Sequence, residues 1–193
     1  SLGATLLLYN AIRHPNRWKQ LIIIEPALFH PIICRIYRFI SWLGLDHQLH
    51  PMVRLTNKRR TTFDSHQSIF NSWRPRPQFK FMSDESLMAF IEASFVKKDD
   101  HVQLRFSKQW ESEIYRSCTT LDPTIWKHLP KLNQQGTTVT FVFAESSNTV
   151  FPITKRLIES IDTVTTITIK NTTHFLPFET KANLIDMIQN TAN

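Results

Sequence analysis

Three glycines in 193 residues leave little scope for a phosphate-cradling loop, which needs glycine wherever backbone N–H groups close around an anion. Two cysteines, Cys34 and Cys118, lie far apart and flank neither a C-x-x-C pair nor a histidine-rich tract. That usage argues against a disulfide framework or a cysteine-built metal site, and buried free thiols are expected instead. The longest apolar run, residues 21–24, is far short of a membrane span. No charged region followed by an apolar stretch and a cleavage site opens the sequence as given, and the free thiols fit a reducing compartment, so the expected location is cytoplasmic. Internal repeats and low-complexity tracts are also missing.

The 41% hydrophobic content at this length suits one domain, or one core with an inserted subdomain. The formal charge is +7, and much of it lies in residues 54–80, where Arg54, Lys58, Arg59, Arg60, Arg74, Arg76 and Lys80 oppose only Asp64. A nucleic-acid surface needs clustered cations, but no binding motif accompanies these, so no nucleic-acid partner is expected. A solvated helical face, or a surface that draws in anionic substrates, accounts for the cluster better.

Periodicity divides the chain into three parts. Residues 2–12 are Leu- and Ala-rich without proline, a good helix former, and His14-Pro15-Asn16 stops them. Residues 19–24 are apolar at successive positions, as in a buried central strand of a parallel sheet. Helix then buried strand is half of a βαβ repeat. The next hundred residues change character. An amphipathic stripe over 32–45 is followed by expected helices at 51–60, 64–73 and 84–95, the last capped by Ser83 with Asp84 and Glu85 in its first turn. Residues 101–106 alternate like a short strand. A helix over 108–118 then precedes a shorter one opened by Asp122-Pro123, an N-cap with proline next to it. After Pro130 the βα rhythm returns: strands at 137–143 and 163–169, helices at 152–160 and 181–189. The expected division is therefore 1–31 core, 32–130 a mostly helical lid or cap, and 131–193 core.

Three short stretches carry a family resemblance: Ser1-Leu2-Gly3-Ala4, then Arg13-His14-Pro15 before Leu21-Ile22-Ile23-Ile24-Glu25-Pro26, then Thr173-His174-Phe175-Leu176-Pro177-Phe178-Glu179. In that order they resemble the α/β-hydrolase superfamily, whose nucleophile elbow reads Gly-x-Ser-x-Gly and whose triad partners follow as acid and then histidine. The resemblance covers nearly all of the chain and implies an α/β fold with a parallel sheet and flanking helices. It also implies about five strands ahead of the elbow that this sequence does not contain, together with the loop giving a second oxyanion donor. The chain thus reads as a C-terminal part of such a fold. A three-stranded remnant would expose apolar surface along its missing neighbour, so an N-terminal half, or a partner chain, is expected to complete the sheet.

The resemblance implies roles residue by residue. Ser1 takes the place of the nucleophile, His174 that of the general base, and the Leu2 N–H that of an oxyanion donor. The acid is open. Relatives often carry an aspartate after the strand matching 137–143, but the turn here is Ala144-Glu145-Ser146-Ser147-Asn148, which puts Ser147 at that position. Other members carry the acid after the strand following the elbow helix, where Glu25 stands. Glu25 is favoured, with Glu145 as the alternative. A serine at the elbow speaks against the dehalogenases and epoxide hydrolases of the superfamily, whose nucleophile is aspartate. The implied activity is acyl-enzyme hydrolysis of a carboxylic ester or related compound, without metal or cofactor. The aromatics of the lid suggest a small apolar acyl substrate. A catalytically silent fragment that binds a partner through its basic lid is the competing expectation.

Overall fold

The computed structural model describes the backbone of residues 1–192. Its first helix, α1 (Leu2–Arg13), leads through a turn to β1 (Gln20–Ile24). The next segment holds α2 (Pro31–Trp42), α3 (Asp46–Leu49), α4 (Pro51–Lys58), β2 (Thr62–Phe63), α5 (His66–Trp73), α6 (Asp84–Ser94), β3 (Phe95–Lys97) and β4 (Val102–Leu104). The long α7 (Lys108–His128) returns the chain to β5 (Thr138–Ser146), α8 (Pro152–Glu159), β6 (Val164–Thr173), α9 (Leu176–Glu179) and α10 (Lys181–Ala192).

Strands β1, β5 and β6 form a parallel sheet in the order β1-β5-β6, with Gln20 opposite Thr138 and Val139 opposite Val164. Parallel strands need both faces covered, and here they are. One face packs Leu21, Ile23, Phe141 and Phe143 against Leu8 of α1, Ile125 of α7 and Ile158 of α8. The stacked pair Phe141 and Phe143, 6.0 Å between centroids, is fully buried. Truncating either ring would cost about 3–5 kcal/mol through the cavity left behind. On the opposite face Val142 and Ala144 meet Leu176, Ile169 and Met187.

The α/β architecture agrees with the reading from sequence, and three local features differ from it. Among the described residues β1 pairs only with β5, and its apolar run is not fully buried: Leu21 and Ile23 are buried while Ile22 and Ile24 are half-buried. The region between β1 and α7 holds a second, antiparallel sheet in the order β2-β4-β3, of which only the β4 stretch was expected. It forms its own core around Phe63, Ile69, Leu87, Ile91 and Phe95. Finally, the helices expected at 108–118 and from 122 are one helix, with Pro123 inside it. Proline inside a helix removes a hydrogen bond and costs about 3 kcal/mol. Asp122 does not cap a helix, because its carboxylate is taken elsewhere: buried Oδ2 accepts the Phe29 N–H at 2.6 Å. Packing of α7 against α1, α2 and α4 carries the helix through the proline.

The cysteines are free and buried, Cys34 beside Cys118 and Phe29 in one small cluster, as expected. Burial pushes both thiols up to about 12, so neither is a ready nucleophile. No helix is long and apolar enough to cross a membrane among the described residues.

Candidate active site

Glu25 leaves β1 in a left-handed backbone conformation, φ +45°. A non-glycine residue held there costs on the order of 1–3 kcal/mol, so the surroundings must fix it. They do so on both sides. The Glu25 N–H continues the ladder by donating to the Val142 carbonyl at 3.0 Å. The side chain, 2% exposed, would be a costly buried charge without partners. It has three: Oε1 accepts the Ala144 N–H at 2.7 Å, and Oε2 accepts the Ser147 hydroxyl at 2.6 Å and meets His174 Nδ1 at 3.0 Å.

A carboxylate only accepts, so the contact assigns the proton to His174 Nδ1 and leaves Nε2 with a lone pair in the neutral ring. The imidazole is held from its own loop as well. Thr173 at the end of β6 donates its N–H to Glu179 Oε2 and its hydroxyl to Oε1, each at 2.6 Å, which clasps the turn that carries His174. The ring remains 20% exposed at its side chain, enough for a reactant to reach it.

Ser1 caps α1 in position only, since its hydroxyl makes no capping bond. Its carbonyl accepts the Thr5 N–H at 3.2 Å and the Ala27 N–H at 3.4 Å, while the Thr5 hydroxyl donates to the Ala27 carbonyl at 2.8 Å. The start of α1 is thereby tied to the loop carrying Glu25. Leu2 is the first residue of the helix, and N–H groups of a first turn have no intrahelical acceptor. Ser1, Glu25 and His174 all line one cleft of about 250 Å3, with Leu7, Ile22 and Ile24 supplying apolar wall.

Glu145, the alternative acid, is exposed and lies with a different partner. Its Oε2 accepts the Asn171 N–H at 2.9 Å, inside a bulge where β6 holds two more residues than β5 between successive pairings. The structure therefore brings Ser1, Glu25 and His174 to one cleft and leaves Glu145 out. Two participants were not read from sequence as such, Ser147 and the Thr173–Glu179 clasp. Ser147 had left a signal: it stands where relatives often carry the acid, and its hydroxyl reaches the carboxylate that faces the histidine instead.

No protein-family model matches the chain, and no curated protein does either. Solved structures do. A peroxisomal α/β-hydrolase from Saccharomyces cerevisiae superimposes with a TM-score of 0.69 at 15% identity, over 98% of this chain and 49% of that one. E-2-(acetamidomethylene)succinate hydrolase gives 0.67 at 13% identity, over 98% and 63%. An esterase from Mycobacterium tuberculosis gives 0.63 at 15% identity, over 100% and 60%. The architecture is thus that of the α/β-hydrolases. The chain spans between about half and two thirds of the length of these proteins, consistent with a partial fold.

Proposed function

We propose that this chain carries the nucleophile, acid and base of a serine hydrolase that cleaves a carboxylic ester or related acyl compound. The observation behind the reading is the buried Glu25 carboxylate on His174 Nδ1, opening into the same cleft as Ser1. Serine is a weak nucleophile at neutral pH and needs a base whose tautomer is fixed by a third group. Ser1 Oγ attacks the substrate carbonyl as its proton passes to His174 Nε2. The developing oxyanion is met by the Leu2 N–H at the positive end of α1. His174 returns the proton to the leaving alkoxide, which departs as the alcohol. Water, deprotonated by the same nitrogen, then attacks the acyl-enzyme, releasing the acid and restoring Ser1.

Leu7, Ile22 and Ile24 along the cleft suit a small apolar acyl group, and in this reading residues 32–130 are the lid that excludes water. A fluorophosphonate probe tests the reading. Expected is an adduct on Ser1, abolished by Ser1→Ala and by prior inactivation with an acyl ester analogue, together with hydrolysis of short p-nitrophenyl esters. Folded protein that neither labels at Ser1 nor turns over any such ester would overturn it.

A further inference from the structure

A cavity of about 390 Å3 lies between the small antiparallel sheet and Phe175 of the β6–α9 turn and shares no lining residue with the cleft at Ser1. Its size falls in the range of small-molecule sites, about 300–1,000 Å3. Aromatic side chains form the walls. Trp73 stacks on Phe79 at 5.4 Å and 5°, and Phe175 meets Phe79 at 5.1 Å and Phe90 at 5.2 Å. Such interlocked rings make a rigid apolar box.

The charge at its edge is of one sign. Arg59, Arg60 and Arg76 line the cavity, and no Asp or Glu does. Arg59 is neutralised by Glu111 at 2.6 Å. The other two pair with no carboxylate among the described residues, yet each is held in place. The Arg60 guanidinium sits 4.4 Å over the Phe63 ring and donates Nε–H to the Thr62 carbonyl at 2.6 Å. Arg76 lies 5.8 Å from the Trp73 ring, with Nε on the Ser72 carbonyl at 3.2 Å and Nη2 on the Ser72 hydroxyl at 3.3 Å. Arg60 is pre-positioned through its inner nitrogen and Arg76 through its inner and one terminal nitrogen, and both keep terminal N–H groups for another acceptor. Guanidinium forks match the paired oxygens of carboxylate and phosphate.

We propose that this cavity binds an anionic amphiphile, a carboxylate or phosphate joined to an alkyl or aryl body, with Arg60 and Arg76 on the charged end and the aromatic box around the body. Neither Ser1 nor His174 lines the cavity, although Phe175 follows His174 and packs on its ring at 5.9 Å, and the binding measurement below does not depend on ester turnover. Titration calorimetry of the chain at low salt with octanoate, octyl phosphate and octanol tests it. At least one of the two anions should bind ten-fold or more tightly than octanol, and the tighter of them identifies the head group. Arg60→Gln and Arg76→Gln should each weaken that anion about five- to ten-fold while octanol is unaffected, and Arg60→Lys should keep part of the affinity. These side chains are exposed, so the variants should fold, which unchanged circular dichroism would verify. Octanol bound as well as both anions, or undiminished anion binding in the double Arg60→Gln, Arg76→Gln variant, would overturn the proposal.

Discussion

The carboxyl ends of β1 and β5 sit side by side at one edge of the parallel sheet, each has a glutamate, and the two glutamates do opposite things. Glu25 is buried, accepts three hydrogen bonds and holds His174. Glu145 is exposed and accepts the N–H of a bulge residue, Asn171. Chain position alone does not separate them, since both stand at the carboxyl end of a strand beside the histidine loop. Backbone conformation does: Glu25 takes a left-handed bend directly after its strand, whereas Glu145 is still within β5 and faces the distortion in its neighbour. Which carboxylate faces an imidazole is decided by the hand of one residue and the side of one pleat.

Substitutions at the two turns should therefore differ by orders of magnitude in kcat/KM for p-nitrophenyl butyrate. Glu25→Gln should lower it roughly 10^3–10^4-fold with little change in KM, because an amide NH2 beside Nδ1–H forces the wrong tautomer or turns the ring. A loss under ten-fold would break the comparison. Ser147→Ala removes one of the three donors to the same carboxylate and leaves the other two. About a ten-fold loss is expected, and Ser147→Thr should restore part of it. Glu145→Gln keeps an acceptor for the Asn171 N–H, so its activity should stay within about two-fold and its melting temperature within about 2 degrees of the parent.

A smaller effect, away from the sheet edge, comes from Asp122. Burial raises its carboxyl from the ordinary 3.8 to about 7, with the bond from the Phe29 N–H pulling weakly the other way. Between about pH 4 and 7 the folded chain then holds a proton that the unfolded chain has lost. Stability should fall as pH rises through that window. Asp122→Asn keeps an acceptor and never ionises. Its melting temperature should match the parent near pH 4 and exceed it by a few degrees above pH 7, as thermal scans across that range would reveal.

Much of the sheet edge was legible because its signals are local. Strand β1 was found to within one residue, and Ser1, Glu25 and His174 were each marked by immediate neighbours. The small antiparallel sheet was not, because Thr62–Phe63 and Phe95–Lys97 are too short to show a period, and Thr62–Phe63 pairs with a strand tens of residues away. The unbroken α7 was missed for a related reason: Asp122-Pro123 is a good helix start by local rules, and only the distant Phe29 N–H draws the aspartate from that role. Ile22 and Ile24 are half-buried although the apolar run reads as fully buried, because among the described residues β1 pairs with β5 alone.

Phe29 has both backbone groups engaged by α7, its N–H by Asp122 and its carbonyl by the Trp126 indole at 2.7 Å. It lies four residues beyond Glu25 on the same connecting strap. Solvent deuterium can replace that amide proton only when the aspartate lets go, so its exchange rate measures how often the long helix loosens from the strap. One slow proton in the middle of the molecule would thus serve as a clock for the fidelity with which the buried acid is kept on its histidine.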